Sequence, residues 1–398
     1  MTAPTPVARA GVRVYFPRMH ALDKILEGLP PPGARVAVGL SGGVDSSMAA
    51  WLLVRRGCAV VGLTMSVWDD SLPLPDRGLS GCFGPGEARD IESARATAAA
   101  LGIEHRVVPL AREYRETVIE YFRQEYLAGR TPNPCVRCNR AMKFGLLLER
   151  ARSAGVAFEF FATGHYARLE DDPASGRRRL LSGLDPAKDQ SYFLALLGQE
   201  QLRSLALPLG GLRKAEVKAL ARAVGFAALA DRPESQDFIE CEDYGVLFRP
   251  GELRPGDIAD EEGRVRGRHE GLARYTIGQR KGLGIGGAGE PLYVVELDAA
   301  RNRVIVGRRS ALGRRSMRAV GCNWIALPEA PDPPRRATVR IRFRHEGAPA
   351  RIARDREIPN AVRVEFDSPQ ISITPGQTAV FYDGAAVLGA GTIAESFV

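Results

Sequence analysis

Residues 34–40, ARVAVGL, form an apolar, β-branched run of strand length, and residues 46–57, SSMAAWLLVRRG, carry helical periodicity up to a glycine stop. The joint between them, GLSGGVDSS (39–47), packs paired glycines, an aspartate and three serines into one turn. A strand that must enter a helix through so tight a turn needs a second strand beside it, and the pattern supplies several. AVVGLTMSVW (59–68) reads as a second buried strand, EHRVVPL (104–110) as a third, and FEFFATGHYARL (158–169) as another that ends at a Gly-His. Between the second and third lies EARDIESARATAAALG (87–102), a helix with acids in its first turn and a glycine after it. This alternation predicts an α/β domain with a doubly wound parallel sheet, whose ligands bind beyond the carboxyl ends of the strands.

The pattern changes after about residue 205. LGGLRKAEVKALARAVG (209–225) predicts one helix behind a glycine pair, and turn-rich sequence follows. From about 286 helical periodicity vanishes: PLYVVELDAARNRVIVG (291–307) reads as a hairpin, and later alternating runs predict an antiparallel β-barrel. The expected organisation is a flexible extension over 1–32, the α/β domain over 33–205, a small central connector over 206–285, and the C-terminal barrel over 286–398. The 398 residues suffice for two or three such domains, and no apolar run reaches the length of a membrane span. Six scattered cysteines without a signal-peptide core fit a reducing cytoplasm. The formal charge of +8 comes from six lysines and forty-nine arginines, a composition suited either to a phosphate-rich partner or to solvated Arg-rich faces.

The glycine-rich joint lacks the lysine of a Gly-x4-Gly-Lys-Ser/Thr loop. SGGVDSS is instead similar to the PP-loop of the ATP pyrophosphatase superfamily, which implies ATP cleaved between its α- and β-phosphates. Asp45 beside phosphates requires a cation between them, so Mg²⁺ is expected. TPNPCVRCNRAMKFG (131–145) is the second unusual stretch: its prolines predict an extended loop, and Cys135 and Cys138 form a Cys-x-x-Cys whose spacing points to metal, redox or sulfur chemistry. RYTIGQRKGLGIGG (274–287) adds a basic, glycine-rich loop suited to a phosphodiester backbone.

With ATGHYAR, KDQSYFL and ESQDF, these motifs in this order resemble the bacterial tRNA-specific 2-thiouridylases of the MnmA family, from about residue 33 to the end. The resemblance implies an ATP-dependent sulfur transfer to the wobble uridine of tRNAs for Lys, Glu and Gln, with sulfur delivered by a donor such as a cysteine desulfurase relay. Carried over by position, Gly39, Leu40, Ser41, Gly42, Gly43, Val44, Asp45 and Ser46 would hold ATP phosphates, and Met65 and Gly164 would line the adenine pocket. Cys138 matches the family's nucleophile. Asn133, Pro134 and Cys135 fall where the target base is met. Lys188, Asp189, Gln190, His165, Arg342, Phe343 and Gln377 match tRNA-side positions.

The chain departs from the family pattern twice. Cys135 stands where an aspartate is expected. In ESQDFIECEDYG (234–245), Ile239 occupies the usual persulfide-cysteine position, and Cys241 lies two residues on. Three readings follow: Cys241 carries the persulfide, Cys135 and Cys138 form the relay, or Cys135, Cys138 and Cys241 ligate a [4Fe–4S] cluster with one open iron. Two other functions compete with tRNA thiolation, namely a PP-loop synthetase acting on a small molecule and a non-catalytic RNA-binding protein with a relict loop.

Overall fold

Five short parallel strands make the first sheet of the protein, described here by a computed structural model covering residues 23, 25–74, 76, 81–233, 237–241, 243–286 and 290–397. Residues 1–22 of the expected flexible extension, and Glu234–Gln236 of the ESQDF motif, lie outside the described residues. The chain divides into two compact units: residues up to Tyr114 with Cys138–Cys241, and Arg115–Arg137 with Glu242–Val398.

The first unit runs β1 (Arg35–Gly39), α1 (Val44–Arg56), β2 (Ala59–Ser66), β3 (Gly81–Phe83), α2 (Glu87–Leu101) and β4 (Glu104–Pro109). It resumes with β5 (Phe160–Ala162), the hairpin β6 (Ala167–Asp172) and β7 (Arg177–Ser182), β8 (Leu205–Ala206), α3 (Lys214–Ala223) and β9 (Asp237–Ile239). The main sheet has the order β4-β2-β1-β5-β8, all parallel. Strand β1 is central, so Val36, Ala37 and Val38 are wholly buried, as an uninterrupted apolar run requires. Helices α1, α2 and α3 supply Met48, Leu52, Ala94, Ala98, Val217 and Leu220 to one core against it, and Ile25, Leu26 and Leu29 pack on the same core.

One expected strand is broken. The run 158–169 leaves the sheet after Ala162 and re-enters an antiparallel hairpin at Ala167, because the intervening Gly164 packs against the loop after β1. A third pairing, β3 with β9, places the 237–239 segment in parallel beside Gly81–Phe83.

The second unit holds two sheets, each with its own core. Strands β10 (Gly256–Asp260), β11 (Val265–His269), β12 (Tyr293–Asp298) and β13 (Arg303–Gly307) have the order β11-β10-β13-β12 and enclose Ile258, Val294, Val304 and Val306. The 293–307 hairpin therefore pairs with β10, through a parallel β10–β13 ladder. Strands β14 (Gly313–Trp324), β15 (Arg335–Arg340), β16 (Ala348–Arg354), β17 (Ala361–Ile371), β18 (Thr378–Asp383) and β19 (Ala386–Phe397) close into an antiparallel six-stranded barrel, β14 pairing with both β17 and β19. Alternation along these strands turns Met317, Val339, Ile352, Val364, Phe381 and Ile393 inward.

Arg318 on β14 donates to Asp355 and to Glu357, each at 2.7 Å, and pairs with Glu395. Asp355 is buried, so removing the guanidinium would leave its charge uncompensated. Arg318→Met is expected to destabilise the barrel by about 3 kcal/mol. Urea unfolding followed by tryptophan fluorescence measures this, and an unchanged midpoint would show that water already satisfies Asp355.

Candidate active site

The loop after β1 is shaped by one glycine. Gly42 has φ +74°, and a Cβ there would lie 2.4 Å from the Asp90 carbonyl oxygen, so no other residue fits. Ser93 Oγ donates to the Gly42 carbonyl at 2.8 Å, and Arg232 pairs with Asp90 beside it. Ser46 Oγ accepts from Ser41 N at 3.2 Å and donates to the Gly43 carbonyl at 3.0 Å, folding the loop over the start of α1. Gly43 is extended and caps α1 without a side-chain hydrogen bond. The positive end of a 13-residue helix thus has no capping side chain from Gly43, an arrangement suited to an anion.

Asp45, in the first turn of α1, sits among fixed partners. Tyr166 Oη donates to its Oδ1 at 2.7 Å, and Lys214 Nζ donates to Oδ1 and Oδ2 at 2.8 and 2.7 Å. A lysine 169 residues on thus pairs with Asp45. Sequence reasoning missed it; the local signal was a lysine at the start of α3 in a chain that uses arginine far more often than lysine.

The Lys-Asp-Gln trio, expected at tRNA, braces this network. Gln190 Oε1 accepts from Tyr166 N at 2.9 Å, and Gln190 N donates to the Tyr166 carbonyl at 2.8 Å. Asp189 is buried, and its carboxylate accepts from Gly183 N, Ser191 N and Ser191 Oγ. Lys188 is half-buried on the same turn.

Two further strand ends border the loop. After β5, a Cβ on Gly164 would lie 2.7 Å from the Asp45 carbonyl carbon and 2.8 Å from Ser46 N, so glycine lets this turn rest on the phosphate loop. His165 shares a 2.8 Å hydrogen bond with Thr163 Oγ1; burial, with the nearby Lys143 charge adding to it, pulls its imidazole down to about 3, so the ring is neutral. Met65 is half-buried near the end of β2. The next turn is held by Glu87, which accepts from Val67 N at 2.6 Å, Ser66 Oγ at 2.8 Å and Trp68 N at 3.0 Å. Glu87 is another positioning residue without a motif to announce it.

The cysteine stretch is helical where the sequence predicts an extended loop. Only 131–133 are extended; Pro134–Cys138 is α-helical, Asn139–Leu146 is π-helical, and Leu147–Ser153 continues as α-helix. Pro134 suits a first helical position, and Asn133 Oδ1 caps the turn by accepting from Val136 N at 3.1 Å. Gln377 Nε2 donates to the carbonyls of Thr131 and Pro132, each at 3.1 Å, so this expected tRNA contact anchors the loop. Arg342 and Phe343 are exposed on the barrel surface after β15.

Cys138 is buried, which pushes its thiol up to about 11, Lys143 acting in the opposite sense and Cys82 in the same sense. Lys143 thus lies within electrostatic reach of both Cys138 and His165. Cys135 and Cys241 are half-buried. Cys241 follows Glu240, whose carboxylate accepts from Gly81 N at 3.3 Å and Gly86 N at 3.1 Å, fastening that segment beside β3. Among the described residues no three His, Cys, Asp or Glu side chains stand where one metal ion could join them.

Three family profiles match in succession: "tRNA methyl transferase HUP domain" over 34–241, "tRNA methyl transferase PRC-barrel domain" over 246–308, and "Aminomethyltransferase beta-barrel domain" over 314–393. The tRNA-specific 2-thiouridylase MnmA of Roseiflexus castenholzii is 48% identical over 91% of this chain and 100% of its own. The protein of the same name from Geotalea uraniireducens is 48% identical over 90% of this chain and 94% of its own. That from Endomicrobium trichonymphae is 42% identical over 90% and 98%. The chain belongs to the MnmA family.

A 4-thiouridine synthetase–RNA complex with bound ATP aligns over 53% of this chain at 17% identity and a TM-score of 0.31, too low a likeness to draw on. Among the described residues no helix is long and apolar enough to cross a membrane.

Gly164→Ala is expected to force the β5 turn off Asp45 and weaken ATP binding at least about tenfold, since the clash is with backbone on both sides. Titration calorimetry reads this directly. Iodoacetamide at pH 8 is expected to label exposed Cys82 while sparing Cys138, with Cys138 labelling rising as pH climbs towards 11. Peptide mass spectrometry distinguishes the two thiols.

Proposed function

We propose that the protein is an ATP-dependent tRNA 2-thiouridylase that activates the C2 oxygen of the wobble uridine in tRNAs for Lys, Glu and Gln and replaces it with sulfur. The observation that carries this reading is the phosphate loop: an uncapped helix start, a glycine turn no other residue can adopt, and a carboxylate already paired with a cation. Family membership narrows the acceptor to tRNA. The exposed Arg342 and Phe343 offer a guanidinium and an aromatic face suited to a nucleic acid.

The carbonyl oxygen of uracil is a poor leaving group, so it first attacks the α-phosphorus of ATP, displacing pyrophosphate and leaving C2 bonded through that oxygen to AMP. The loop N–H groups take up the charge on the departing phosphates. Asp45 is a hard oxygen donor suited to Mg²⁺, which would supply further charge neutralisation there. Sulfur then attacks C2, and AMP leaves with the original oxygen.

For the sulfur, we assign Cys241 as persulfide carrier and Cys138 as its partner. Attack by the Cys138 thiolate on the Cys241 sulfur forms a disulfide and releases the terminal sulfur as hydrosulfide for C2. An external dithiol reduces the disulfide, and a cysteine desulfurase relay recharges Cys241. Burial holds Cys138 protonated in the tRNA-free protein, so the tRNA complex is where its proton must leave. Such gating limits idle persulfide cleavage.

Anaerobically purified protein incubated with ATP, Mg²⁺, a persulfide donor and unmodified tRNA tests the assignment. The expected result is tRNA-dependent AMP release and one 2-thiouridine per tRNA. Cys138→Ser and Cys241→Ser should each lower thiolation by about three orders of magnitude, whereas Cys135→Ser should retain most of it. AMP release stimulated by a small carboxylate instead of tRNA would overturn the acceptor. Iron and acid-labile sulfide lost together with activity in Cys135→Ser would overturn the relay in favour of a cluster.

A further inference from the structure

Lys214 is an expensive place for a positive charge. Its side chain is 9% exposed, and it opens α3, where the helix dipole presents its positive end. Burying an ammonium there costs free energy that an apolar residue would avoid. The backbone around it is fixed: Lys214 N donates to Asp185 Oδ2 at 3.0 Å, and Arg213 N donates to Glu216 Oε2 at 2.8 Å. Its partners are equally fixed, since Tyr166 is tied to Gln190 through both backbone groups and donates to Asp45. The Lys214 ammonium is the group of this frame with three rotatable hydrogen-bond donors on a single terminal atom.

The residue type points the same way. Basic positions in this chain are filled by arginine forty-nine times and by lysine six. Arginine offers a flat fork, whereas the lysine ammonium is a compact charge with three rotatable donors. Here it reaches both Asp45 oxygens while Asp45 sits in the first turn of α1, directly after the phosphate loop. An arriving polyphosphate brings several negative charges to a cation that one carboxylate holds.

We propose that Lys214 is a phosphate-binding residue of the ATP site, with Asp45 and Tyr166 as the positioning residues that hold its ammonium ready. This rests on the nucleotide reading of the loop given above. When polyphosphate binds, Nζ turns a donor to it while keeping contact with Asp45. Lys214 thereby gives the site a built-in charge that does not depend on divalent cation.

Calorimetric titration of the full-length protein with inorganic pyrophosphate and with ATP, each in Mg²⁺ and in EDTA, tests this. The wild type is expected to bind pyrophosphate measurably in EDTA. Lys214→Met should weaken that binding by roughly 10- to 100-fold, the loss of one charged hydrogen-bond donor. Lys214→Arg should fail to restore it, because the fork cannot occupy the same point. The double variant Asp45→Asn/Lys214→Met removes both charges, so its melting temperature should return towards wild type while pyrophosphate binding stays weak. Pyrophosphate affinity unchanged in Lys214→Met overturns the inference and leaves the nucleotide reading standing. A wild type that binds neither ligand in either buffer overturns both.

Discussion

Asp45 accepts hydrogen bonds from two other stretches of chain, so that three segments far apart in sequence meet at the carboxyl edge of the sheet. Its own loop follows β1, Tyr166 follows β5, and Lys214 opens α3. The Gly164 turn can lie on the Asp45–Ser46 backbone only because it lacks a Cβ, and that contact brings Tyr166 within reach. The buried Asp189 and the Gln190 amide then lock the Tyr166 turn from behind. A single carboxylate thus sets the relative positions of the elements that surround the phosphate site.

This dependence changes the meaning of several motif residues. Asp189, Gln190, Asn133 and Gln377 stand at positions where the family resemblance implies contact with tRNA. In the folded chain each has an internal partner: Asp189 caps the turn at Ser191, Gln190 ties down Tyr166, Asn133 caps the cysteine helix, and Gln377 holds the carbonyls of Thr131 and Pro132. A polar residue in a motif can act by shaping the surface that meets the ligand as well as by touching it. Glu87 shows the same economy, because one carboxylate organises the turn after β2 by accepting two backbone N–H groups and a hydroxyl.

The cysteine helix carries a second constraint. Its short first segment holds Cys135 and Cys138, and the following eight residues are π-helical, with carbonyls that pair outside the usual α-helical spacing. Gln201 Nε2 donates to one of these, the Phe144 carbonyl, at 2.7 Å. Asn139 Nδ2 donates to the Phe193 carbonyl at 3.3 Å, while its Oδ1 is buried without a partner. A wide turn kept in place by side chains next to a buried thiol is a costly local geometry, and such geometry tends to persist where chemistry uses it.

The sequence by itself determined the parallel sheet, the closed barrel and the phosphate loop. Apolar period, glycine position and turn chemistry are local properties, and Gly42 in particular has no alternative conformation to offer another residue. It also fixed the spacing of Cys135 and Cys138, because a spacing can be read directly from a chain. Tertiary structure alone decided which cation meets Asp45, where the 158–169 run breaks, and that the Pro-rich cysteine stretch coils into a helix. Those outcomes go with contacts between residues 121 to 246 positions apart. Charge and burial act through space, so Lys214 became legible only once α3 had been packed against the sheet that carries Asp45.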